Sequence, residues 1–169
     1  MGKQGVLMKK SNGRLINFAD YQFVDVALGD PKARNHIVAV TQVRQMVIPD
    51  QEAYCTYHRF DESYGKFVSR TGSVSGYSGP SYCDYIPFDF DDKEHPEAAL
   101  KAARTFCHYL HAAYDLDFDC IKGFYSGRKG LHILLPAVLF GIEPDSNLSG
   151  IVKGIALNLC NQADPHIYD

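Results

Sequence analysis

A chain of 169 residues that is 46% hydrophobic and 12% aromatic can bury one sizeable core and is short for two. Charged residues make up 22% and the net charge is −3, so bulk charge marks neither a nucleic-acid nor a small-molecule partner. A strand-binding surface in such a chain has to be a local groove. No apolar run approaches the roughly 20 residues needed to cross a bilayer, and the N-terminus lacks a secretory apolar stretch; a cytoplasmic protein with no membrane partner is expected. Lys3, Lys9, Lys10 and Arg14 occur without an acid among them and read as a solvated terminus. Cys55, Cys83, Cys107, Cys120 and Cys160 form no Cys-x-x-Cys pair, which argues against a zinc ribbon or a dithiol redox site. They read as buried thiols of a reducing compartment.

In chain order, residues 34–47 mix apolar and polar positions without a clean period, leaving a helix or a strand pair open, with the helix favoured. Tyr54, Tyr57 and Phe60 suggest a strand over 52–60, followed by the acidic turn Asp61-Glu62-Ser63. Residues 71–82, dominated by Gly, Ser and Tyr, read as a surface loop or loose hairpin without enough aliphatic residues to enter the core. Tyr77 and Tyr82 in that loop are aromatic surfaces on which template bases could stack.

Beyond the loop, 85–91 alternate aromatic and acidic residues at the period of a strand. Ala99, Ala102, Ala103, Phe106, Leu110 and Ala113 recur at three- and four-residue spacings behind Pro96 and predict a helix over 96–114. A strand over 121–126, a tight turn at 127–130, a strand over 131–135 ending at Pro136 and a helix over 148–161 complete the pattern. The expected class is α+β, a sheet containing at least one antiparallel hairpin and flanked by helices. His95, His108 and His111 form no local metal cluster, and His108 and His111 are expected on the surface of the 96–114 helix.

Two residues apart on a strand, Asp89 and Asp91 project from one face while Phe88 and Phe90 turn to the other. Like charges held together this way call for a cation, and hard carboxylate oxygens suit Mg²⁺ or Mn²⁺. In Ser126-Gly127-Arg128-Lys129-Gly130-Leu131-His132, the two glycines permit a tight reversal. A hairpin centred near Lys129 would set Ser126 directly across from His132. The turn then gathers a hydroxyl, an imidazole, two cations and backbone N–H groups, which are donors suited to a polyphosphate.

The strand ending in Phe88-Asp89-Phe90-Asp91 and the Ser126 to His132 hairpin resemble the first two motifs of the archaeo-eukaryotic primase superfamily, in its compact primase-polymerase branch. That family carries a third motif, an Asp after an apolar helix, which Asp164 matches and for which Asp169 is the rival. The resemblance covers 54–169 and leaves the first fifty residues with a loose likeness to the family's N-terminal αβ unit. It implies an RRM-like catalytic core in a single domain, 1–169, with an N-terminal αβ part over about 1–52 and the motif-bearing core over 53–169, shortened at its C-terminal end.

The activity implied is template-directed nucleotidyl transfer for primer synthesis or extension, from deoxyribo- or ribonucleoside triphosphates on single-stranded or primer-template DNA. A helicase or accessory domain in a longer protein is a further implied partner. Asp89, Asp91 and Asp164 would bind two divalent ions, Mg²⁺ or Mn²⁺, with no zinc. Ser126, Gly127, Arg128, Lys129 and His132 would hold the triphosphate, His132 as a phosphate ligand rather than a general base. The alternative is a non-catalytic nucleotide- or nucleic-acid-binding module of the same fold. A metal-dependent phosphohydrolase, which usually recruits further local His and Asp ligands, fits less well.

Overall fold

The computed structural model describes residues 8–11, 14–125 and 130–164, with side chains from Phe18 onward. The protein is α+β, with antiparallel sheets and helices, and divides into two compact units: Met1–Cys83 with Glu143–Leu148, and Asp84–Ile142 with Ser149–Asp169. Among the described residues no helix is long and apolar enough to cross a membrane.

The first unit begins with an antiparallel pair, β1 (Met8–Ser11) and β2 (Arg14–Asn17). In a second sheet, β3 (Phe23–Leu28) lies between β4 (His36–Ala39) and β5 (Ala53–Cys55), antiparallel to both. Val24, Asp25, Val26 and Ala27 are all buried, as suits a central strand. The 34–47 segment, expected mainly as helix, contains β4, a 3₁₀ turn and the single helical turn α1 (Val43–Met46). Pairing of residues 36–39 with β3 overrides the weak local preference there.

Where the sequence suggested only an acidic turn, the chain forms helix α2 (Glu62–Thr71). Asp61 caps it by accepting the Ser63 N–H at 2.9 Å, and Gly72 ends it in the left-handed region at φ 68°. Tyr64 and Val68, one turn apart, bury against Phe60. Phe60 and Tyr64 stack at 3.8 Å between centroids, and Tyr77 meets Phe60, Tyr64 and Phe67 edge-on. The 71–82 loop therefore does enter the core, through Val74 and Tyr77. Tyr82 packs edge-on against Phe18 and Tyr21. Tyr77 and Tyr82, on which template bases could stack, both make internal ring contacts.

Asp25 is a buried carboxylate that sequence pattern did not mark. Its side chain is 0% exposed and accepts from Arg34 Nε at 2.8 Å and from the Asn35 N–H at 3.0 Å, with the Tyr64 hydroxyl beside it. Burial, reinforced by the Asp25 charge, pushes the Tyr64 hydroxyl up to about 12. A buried carboxylate with a cation and a backbone N–H on it is a structural cost already offset, and it ties β3 to the turn before β4.

The second unit runs β6 (Tyr85–Asp91), α3 (Pro96–Tyr114), β7 (Lys122–Tyr125), β8 (Gly130–Pro136) and α4 (Leu148–Ala163). The sheet order is β6–β8–β7, antiparallel throughout. α3 packs on β6 and β8, with Phe106 fully buried at 4.6 Å from Phe88 and 5.5 Å from Phe90. Each such ring removed from water stabilises by about 2 kcal/mol. Asp92 Oδ1 accepts the backbone N–H groups of Glu94 and His95 at 2.9 and 2.8 Å just before α3, and those bonds hold its carboxyl below the usual range. At the far end of α3, the hydroxyls of Tyr109 and Tyr114 both donate to Gln162 Oε1, at 2.8 and 2.7 Å, which clamps the last turn of α4.

Of the cysteines, Cys83 and Cys160 are buried as expected, whereas Cys55 and Cys120 are exposed. Cys55 lies on a sheet-edge strand and Cys120 in a short 3₁₀ turn.

Candidate functional site

The alternation in β6 does what its period requires. Ile86, Phe88 and Phe90 are buried, while Asp89 and Asp91 are exposed on the opposite face. Their Cα atoms are about 7 Å apart by the rise of a strand, so the two carboxylates can converge on one cation or repel across water.

Register decides what faces them. Asp89 pairs directly with His132 of β8, and its Oδ1 lies 3.1 Å from His132 Nε2. Side-chain exposure is 62% for Asp89 and 50% for His132, so the pair is open to a ligand and contributes little to stability by itself. A carboxylate against Nε2 accepts the N–H of that nitrogen, which orients the ring.

Asp91 pairs with Gly130. Any Cβ at Gly130 would collide with the Phe90 carbonyl oxygen and with Asp91 Oδ1. Sequence reading took Gly130 as a turn residue. In the structure it is the first residue of β8, and its missing side chain is what lets the Asp91 carboxylate lie against the neighbouring strand. Gly130→Ala is expected to lower stability by about 1–3 kcal/mol, because the obstructing atoms include backbone. A thermal melt within a degree of the parent's would contradict this reading.

The hairpin differs from expectation. His132 pairs with Phe124 and Leu131 with Tyr125, so Phe124, not Ser126, lies directly across from His132. The expectation erred by two positions because it centred the turn near Lys129. Ser126, Gly127, Arg128 and Lys129 lie outside the described residues, as does Asp169.

The same register adds two residues that sequence reading passed over. Opposite residues in an antiparallel pair share a face, so Phe124 shares the face of Asp89 and His132. Two positions along β7, Lys122 shares it as well, opposite Leu134. Its ammonium sits 4.2 Å from the Tyr85 ring centroid and donates to the Tyr85 hydroxyl. Alternation along 122–125 would have revealed both, had the turn been counted correctly.

Asp164 stands at the end of α4, half-buried, its N–H donating to the Cys160 carbonyl at 3.0 Å. His108 and His111 are exposed on α3 as expected, where both rings meet Phe118. Among the described residues, no three His, Cys, Asp or Glu side chains converge as a ready-made metal set. Two exposed carboxylates on one face nevertheless fit a hard divalent cation, since Mg²⁺ commonly takes one or two protein carboxylates and completes its shell with water and substrate phosphate. Comparison with known proteins leaves this face to be read from its own geometry: no family model matches the chain, and no curated protein or solved structure matches it.

Proposed function

We propose that the chain is a template-directed nucleotidyltransferase of primase-polymerase type, joining nucleoside triphosphates on a DNA template. The observation that carries this reading is the direct pairing of Asp89 with His132 beside Asp91, on the open face of one sheet. Residues 43 positions apart in sequence, drawn from the two motifs of the family resemblance, thereby make one patch. The order β6–α3–β7–β8–α4, with the sheet arranged β6–β8–β7, is compatible with the RRM-like core that resemblance implies.

In this reading Asp89 and Asp91 hold Mg²⁺ or Mn²⁺; the family resemblance gives Asp164 the part of the third carboxylate, which the structure, among the described residues, does not bring into one metal set with them. The ions supply charge neutralisation for the attacking 3′ hydroxyl and the departing pyrophosphate. With Asp89 turned to the ion, the N–H of His132 donates to a phosphate oxygen in place of Asp89, and Ser126, Arg128 and Lys129 of the connecting turn bind the rest of the triphosphate.

Extension of a labelled primer on a template, or primer formation without one, with all four nucleotides and Mn²⁺ or Mg²⁺, tests the proposal. Elongated product is expected. Nucleotide uptake with no phosphodiester bond formed under any of these conditions would instead make the domain a binding module. For His132→Ala, nucleotide affinity measured by calorimetry is expected to fall about tenfold, as for loss of one charge-assisted hydrogen bond. Unchanged affinity with lost turnover would reassign His132 as a general base.

A further inference from the structure

Phe124 is the odd residue on the candidate face. It is a phenyl ring, 52% exposed, with the His132 imidazole directly across in register and the Asp89 carboxylate one strand further on, on a strand whose four residues are all exposed. Directly paired side chains across antiparallel strands have Cβ atoms roughly 5 Å apart, so Phe124 and His132 are immediate neighbours on this face, with the Nε2 end of the imidazole at Asp89. An exposed ring with the partly covered Leu134 diagonal to it is too small a patch for a protein interface. It has the area of one nucleobase.

We infer that Phe124 is the platform on which the base of the bound nucleoside triphosphate stacks. This rests on the nucleotidyltransferase reading, in which His132 contacts a phosphate of the same nucleotide. With a phosphate at His132, the nucleoside extends over the neighbouring strand, and β7 is that neighbour on the side away from Asp89. Lys122, two residues from Phe124 on the same face, bounds the platform with a cation. Stacking on a plain phenyl ring uses the π-face that every base has, so the contact is indifferent to base identity, as a templated enzyme requires of its incoming-nucleotide site.

The test compares each of the four nucleoside triphosphates with inorganic tripolyphosphate, all with Mn²⁺, by calorimetry on the parent, Phe124→Ala and Phe124→Trp proteins. Phe124→Ala is expected to weaken all four nucleotides about tenfold and leave tripolyphosphate unchanged, while Phe124→Trp retains nucleotide affinity. Circular dichroism checks that the exposed substitution leaves the fold intact. Nucleotide affinity unchanged in Phe124→Ala, or nucleotide and tripolyphosphate weakened equally, overturns the stacking role while the nucleotidyltransferase reading stands. Nucleotide affinity unchanged with primer-template affinity lost also overturns it, assigning the ring to the template. A parent protein that binds neither nucleotide nor tripolyphosphate overturns the underlying reading as well.

Discussion

Primer extension is expected to fall by at least about a thousandfold when Asp89 and Asp91 are both replaced by alanine, because metal stabilisation of developing charge is worth several kcal/mol. The same variant is expected to unfold within about 1 kcal/mol of the parent. Both carboxylates are exposed, and the pairing of Asp89 with His132 is a surface contact of small net worth. Phe88 and Phe90, which anchor the strand, are untouched on the other face. The combination distinguishes a chemical role from a structural one: activity vanishes while the melting curve stays put. Single variants separate the two residues. Asp89→Ala also releases His132, whereas Asp91→Ala removes the carboxylate beside Gly130 and leaves the Asp89–His132 pair in place. Undiminished extension by the double variant would remove the metal-site assignment.

The second large effect concerns stability, in the other unit. Arg34→Ala is expected to cost about 3 kcal/mol, since it strands the Asp25 carboxylate in the interior with its cation gone. Asp25 has no exposed side-chain surface, and what remains to it is the Asn35 N–H and Tyr64. Arg34 is itself 44% exposed, so its own release to water recovers little, and the cost is borne by the stranded anion. Replacing both partners, Asp25→Leu with Arg34→Leu, is expected to be milder than Arg34→Ala alone, because no buried charge is left. Urea denaturation followed by circular dichroism measures both. A loss below about 1 kcal/mol for Arg34→Ala would mean that water reaches Asp25.

How far the sequence could be read depended on whether each element carried its own signal. β6 declares itself by strict alternation, and α3 by apolar spacing behind Pro96; the structure returns both with the expected bounds. α4 is found where expected, two residues longer. α2 was missed although its cap and stop are present as Asp61 and Gly72, because a helix with only Tyr64 and Val68 buried has too little apolar stripe to stand out. The 34–47 segment has no period of its own and takes its strand from pairing with β3. Asp25 looks like any strand acid until Arg34 and Tyr64 are brought to it by folding.

The candidate site divides along the same line. The placement of Asp89 and Asp91 on one face follows from the two-residue period of a strand, which is a property of the local chain and needs no partner. The partner across from them is another matter. That Asp89 meets His132, that Gly130 must lack a side chain, and that Phe124 rather than Ser126 stands opposite the imidazole all depend on strand register. Register is set by the length of the turn and by which faces are buried against α3, so a two-residue miscount keeps every side chain on its correct face and still exchanges every neighbour.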